Sequence, residues 1–79
     1  MADSFDQATR RLSRTVRAAR ARTGLSQEAL ALQAGINRSY VGQIERGVGN
    51  PSLRVMVQLA DTLGLDISDL FAQSKPSRN

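Results

Sequence analysis

The chain has no cysteine, no histidine and no tryptophan, and each absence removes a class of chemistry. Without cysteine there are no disulfides and no thiolate metal sites; without histidine the commonest metal ligand and the commonest general base are missing. An enzyme would have to work through Asp, Glu, Ser or Tyr. Ser26 has no base beside it and no paired carboxylates share an expected cleft, so no catalytic residue, metal or cofactor is expected. Aromatic residues make up only 4% of the chain, which leaves Leu, Val, Ile, Ala and Met to build the core. That palette suits a helical bundle better than a sheet, and no stretch alternates long enough to be a strand. No apolar run approaches the length of about 18 residues that a membrane span needs. A cytoplasmic location is the expectation.

What is present is basic and unevenly spread. The 79 residues have room for one domain, with a core so small that self-association would add to its stability. Residues 1–54 hold nine Lys and Arg against four Asp and Glu, a net +5, whereas residues 55–79 hold two against three, a net −1. The basic half is therefore the candidate for facing phosphates, and the other half is free to meet a second copy of the chain. Six arginines fall between Arg10 and Arg22. Asp3 and Asp6 argue against an organelle transit peptide, and the apolar face lacks the bulky run of a membrane-surface helix.

Caps and periodicity give an all-α, five-helix bundle. Residues 1–4 read as an arm, 5–72 as the domain and 73–79 as a disordered tail. Ser4-Phe5-Asp6-Gln7 fits a capping box, and Phe5, Ala8, Leu12, Val16 and Ala19 continue at helical spacing, so helix 1 is expected over 5–22. Ser26, Gly35, Asn37, Ser52, Gly64 and Asp66 punctuate the remainder. They bound helices over 27–34 and 38–46, a fourth with Leu53, Met56, Leu59, Ala60 and Leu63 inward, and a short fifth carrying Ile67, Leu70 and Phe71.

The two short helices separated only by the turn at Ala34-Gly35-Ile36 form a helix-turn-helix pattern, which points to double-stranded DNA. On the second, Val41 and Ile44 face inward while Arg38, Ser39 and Gln43 point out. Arg38 can fork onto guanine O6 and N7, Ser39 can reach a base or a phosphate, and Gln43 can bond adenine, so these three are the candidates for reading bases. Asn37 can bind a phosphate as well as cap the helix. Tyr40 either offers its hydroxyl to a phosphate or packs as a rim residue on the preceding helix. Gly42 leaves the middle of the helix bare, at a cost of about 1 kcal/mol against Ala. Either DNA or a neighbouring helix comes close there.

Thr-Gly-Leu-Ser-Gln-Glu-Ala-Leu (23–30), Ala-Gly-Ile (34–36), Ile-Glu-Arg-Gly (44–47), Asn-Pro-Ser-Leu (50–53) and Leu-Ala-Asp-Thr-Leu-Gly-Leu (59–65) occur in an order and spacing that resembles the Cro and phage-repressor type of helix-turn-helix regulators. The resemblance covers roughly Leu12 to Phe71. Within that family the stretch from Asn37 to Gly47 looks most like the controller proteins of restriction-modification systems. The resemblance implies a phosphate contact at Gln27 and an ion pair between Arg20 and Glu45. It also implies a bacterial or phage-type regulator working on a palindromic operator. Relatives carry a more basic loop than Val48-Gly49-Asn50, so phosphate binding is expected to rest on Arg17, Arg22 and Arg46, with Asn50 as a further contact.

One recognition helix spans too few base pairs for useful specificity, and a homodimer placing two of them about 34 Å apart answers that. Met56, Val57, Leu65, Ile67, Leu70 and Phe71 are the expected dimer surface, with two dimers side by side on one operator as a further expectation. No sensor domain or small-molecule ligand is expected, which leaves control to protein concentration. The competing reading is a protein-binding module of the antitoxin or coactivator type. Binding of single-stranded RNA would need a platform of aromatics that one Tyr does not make.

Overall fold

The computed structural model describes residues 4–72. It consists of α1 (Ser4–Thr23), α2 (Gln27–Ala34), α3 (Arg38–Glu45), α4 (Leu53–Leu63) and a terminal 3₁₀ helix (Ile67–Phe71). The architecture is all-α, as expected, but the fifth element is 3₁₀ rather than α. Its five residues are tightened by a reciprocal cap, in which the Asp66 carboxylate accepts from Ser68 N–H while Asp69 accepts from the Asp66 N–H. Ser4 is already the first residue of α1 rather than its cap or part of an arm. The rest of the expected arm and the expected disordered tail lie outside the described residues.

The boundaries of α2 and α3 follow from local chemistry. Ser26 Oγ accepts the Ala29 N–H at 3.0 Å, which satisfies one of the free donors of the first turn of α2. Gly35 ends that helix at φ 74°, donating its N–H to the carbonyls of Ala31 and Leu32. A side chain there would carry the left-handed strain that glycine avoids. Asn37 Oδ1 then accepts from Ser39 N–H at 2.8 Å and starts α3 after a three-residue break.

The core takes Leu12, Val16 and Ala19 from α1, Leu30, Ala31 and Ala34 from α2, and Val41 and Ile44 from α3, closed by Val55, Leu59, Ala60 and Leu63 of α4 and by Leu70. Helix α1 runs along α3, α4 and the 3₁₀ helix, while α2 packs on α3 and α4. Two expected core positions lie elsewhere. Phe5 is 50% exposed and Leu53 is 65% exposed. Both sit in the first turn of their helices, where the bundle no longer covers them. Thr9, Ser13 and Val55 take the buried places instead.

Candidate nucleic-acid interface

Helix α3 is fixed from behind and open in front. Val41 and Ile44 are buried, while Arg38, Ser39 and Gln43 are exposed on one side. The fixing is electrostatic as well as apolar. Arg20 donates Nε to Glu45 Oε2 at 2.6 Å and Nη2 to Glu45 Oε1 at 2.9 Å, and its Nη1 reaches the Leu25 carbonyl at 3.0 Å. One guanidinium thus ties α1 to the end of α3 and to the turn before α2, by the two-pronged geometry that arginine alone among the cations provides.

Glu45 has two further partners that sequence reasoning missed. Gln27 Nε2 donates to Glu45 Oε1 at 3.0 Å, and Ser13 Oγ donates to the Glu45 backbone carbonyl at 2.6 Å. Ser13 had a signal: a small polar residue inside the apolar stripe of α1 wants a partner across the interface. Burial works against the charged form of Glu45, whose side chain is 5% exposed. The bonds from Arg20 and Gln27 and the charges of Arg20 and Arg17 outweigh it and hold the carboxyl below its ordinary range. The same pairing, against a smaller penalty from desolvation, raises Arg20.

Several candidate contacts are held in place by neighbours. Ser39 Oγ donates to Asn37 Oδ1 at 2.7 Å, which leaves its lone pairs to accept. Tyr40 is half-buried against the core, and its hydroxyl accepts the Ser52 N–H at 3.1 Å, leaving the phenolic proton free to be donated outward. A Cβ on buried Gly42 would stand 3.2 Å from Arg46 Nη1 and 4.0 Å from Gln27 Oε1. The bare turn of α3 is therefore overlain by two of the protein's own polar side chains.

Polar grooves lie at both ends of α3. One is lined by Arg20, Ser26, Gln27, Glu28 and Arg38. The other is lined by Asp6, Thr9, Arg10, Ser13, Arg14, Arg17, Glu45, Arg46 and Gly47. The structure thus groups Gln27 with Arg38 and Arg17 with Arg46. Arg22 joins neither. It lines a third groove with Leu65, Asp69, Ala72 and Arg14, which borders two grooves, because two residues after Arg20 the helix has turned by about 200° and faces the 3₁₀ element. Arg22 therefore stands apart from the residues grouped around α3. Asn50 borders an apolar groove with Phe5, Pro51, Met56 and Phe71.

Of the expected dimer surface, Val57 and Ile67 are exposed, at 40% and 37%, and Met56, Leu65 and Phe71 are half-buried at the core margin. Leu70 is wholly buried in the monomer and is removed from that set. It closes the core between α1 and α4 and has no surface to offer a second copy. No helix among the described residues is long and apolar enough to cross a membrane.

Residues 16–70 match the helix-turn-helix family model. The HTH-type transcriptional regulator SlrR of Bacillus subtilis is 38% identical over 61 residues, which is 76% of this chain but only 40% of the length of SlrR. Control protein C.MunI from a Mycoplasma species is 39% identical over 51 residues, 65% of this chain and 69% of that protein. Among solved structures, the restriction-modification controller protein C.AhdI from Aeromonas hydrophila matches with a TM-score of 0.75 and 41% identity, over 84% of this chain and 97% of that one.

Proposed function

Because the chain belongs to the helix-turn-helix family, close to transcriptional regulators and restriction-modification controllers, we propose that it binds double-stranded DNA as a homodimer on a palindromic operator, in the manner of a restriction-modification controller. The observation that carries this reading is the state of α3. Its outward side chains are polar and exposed, while its inner face is locked by Val41, Ile44 and the Arg20, Gln27 and Glu45 cluster. A recognition element has to be rigid behind and polar in front, since base edges reward only donors and acceptors held in place.

Roles follow from position. Arg38, at the first turn of α3, reads guanine; Ser39 accepts from an exocyclic amine or contacts a phosphate; Gln43 reaches the next bases along the groove. Gln27, with one amide hydrogen used on Glu45, keeps the other for a phosphate. Asn37 Nδ2, the Tyr40 hydroxyl, Arg17, Arg46 and Asn50 supply the remaining backbone contacts. The second copy is met through Val57 and Ile67, with Met56, Leu65 and Phe71 at the edge. The likeness to C.AhdI, 41% identical over 84% of this chain, supports the controller type.

Selection from a pool of random duplexes tests the reading. The protein should enrich an inverted repeat whose half-sites lie about 10 base pairs apart, centre to centre, or a multiple of that. Recovery of no preferred sequence at moderate salt would overturn it.

A further inference from the structure

The groove at the far end of α3 holds more positive charge than a recognition helix needs. It is open, with a volume of about 600 Å³, and brings Arg10, Arg14 and Arg17 of α1 opposite Arg46 at the end of α3. The first three lie at i, i+4 and i+7 and so share a face over a length of about 10 Å. Among the described residues none of the four guanidinium groups makes a hydrogen bond or a close ion pair, although the charge of Arg17 acts on Glu45. Two carboxylates also line the groove. Glu45 is committed to Arg20 and Gln27, and Asp6 lies in the first turn of α1.

We infer that this groove is a second DNA contact, in which Arg10 and Arg14 grip the phosphodiester backbone beside the end of α3 and continue the track begun by Arg17 and Arg46. The inference rests on the reading of α3 as a recognition helix. Three features favour an extended polyanion over a small one. The groove is a trough that cannot enclose a free anion, and its charges are strung along a line. The carbonyl end of α3, which would repel a phosphate, is covered by the Ser13 hydroxyl and flanked by Arg46.

The test is the salt dependence of binding to the selected duplex. Each lost phosphate contact lowers the slope of log affinity against log salt by about 0.9. Arg10→Gln with Arg14→Gln removes two arginines per chain, so the slope should become shallower by about 2 to 4 across a dimer, with unchanged preference between sequences. Arg11→Gln with Arg22→Gln, matched in charge, should stay within about one unit of the wild type. The paired lysine substitutions at 10 and 14 should restore most of the slope, since a point charge also binds phosphate. A wild-type slope in the Arg10 and Arg14 variant, or an equal loss in the charge-matched control, overturns the inference. Saturable pyrophosphate binding at the groove without any effect on the DNA slope overturns it too. A wild-type protein that enriches no sequence contradicts the reading of α3 instead.

Discussion

At Glu45 a buried carboxylate is kept ionised by bonds from Arg20 of α1 and Gln27 of α2 and by the charge of Arg17. Removing Arg20 leaves that charge without its two strongest bonds, and removing Glu45 leaves a guanidinium half withdrawn from water. Arg20→Met or Glu45→Met should therefore cost about 1–3 kcal/mol, well beyond the roughly 0.5 kcal/mol of an ordinary surface change, and the double substitution should recover part of the loss. The pH dependence has a definite sign. Glu45 is depressed in the fold, so its contribution is present above the unfolded value near about 4.3 and is lost as pH falls through its lower folded value. Urea titrations from pH 6 down to pH 3 should show an acid loss of stability that Glu45→Gln reduces. Identical acid limbs in the two proteins would contradict the assignment. The Arg20 and Glu45 pairing was legible in the sequence through the family resemblance. The bonds from Gln27 and Ser13 were not, because they depend on how α1, α2 and α3 rotate against one another, and a periodic stripe does not specify that angle.

Whole elements were easier to read than their contacts. Ser26, Gly35, Asn37, Ser52 and Gly64 act as local signals, and α2 starts and stops where those residues require. Gly35 and Gly64 are the demanding ones, both in the left-handed region, and Gly35 sits in the turn itself. Its φ of 74° is strained for any L side chain, while a Cβ there would meet only Gln58 Nε2 at an ordinary 3.7 Å. Gly35→Ala should thus lose about 1–2 kcal/mol through backbone strain alone, and Gly35→Asn should lose less. Equal stability of Gly35→Ala and wild type in urea would show that the turn relaxes into another conformation. The ends of elements were harder to read. Phe5 and Leu53 fit apolar spacing yet hang beyond the bundle, and the 3₁₀ form of Ile67–Phe71 follows from a reciprocal cap squeezed into five residues. Apolar spacing reports a face and says nothing of where that face runs out of neighbours.

At the scale of the molecule, one face of α1 lines a basic groove with Arg46, while Arg14 and Arg22 border a mixed groove with Leu65 and Asp69. The proposed dimer makes distinct demands on two neighbouring residues. Ile67→Asp should leave the monomer folded and shift sedimentation toward it, while Leu70→Asp should unfold the chain because its site is fully buried. A wild type that remains monomeric at high micromolar concentration and binds half-sites as tightly as full palindromes would remove the dimer from the account.

The central claim is that α3 reads bases through its first turn and that phosphates are held elsewhere. The direct measurement is the affinity of Arg38→Ala and Arg46→Ala for the selected duplex and for a scrambled duplex, at one salt concentration. Arg38→Ala should lose about 1–3 kcal/mol per base contact on the selected duplex and little on the scrambled one, whereas Arg46→Ala should weaken both alike. If Arg38→Ala discriminates between the two duplexes as well as the wild type does, α3 does not read DNA in the way described.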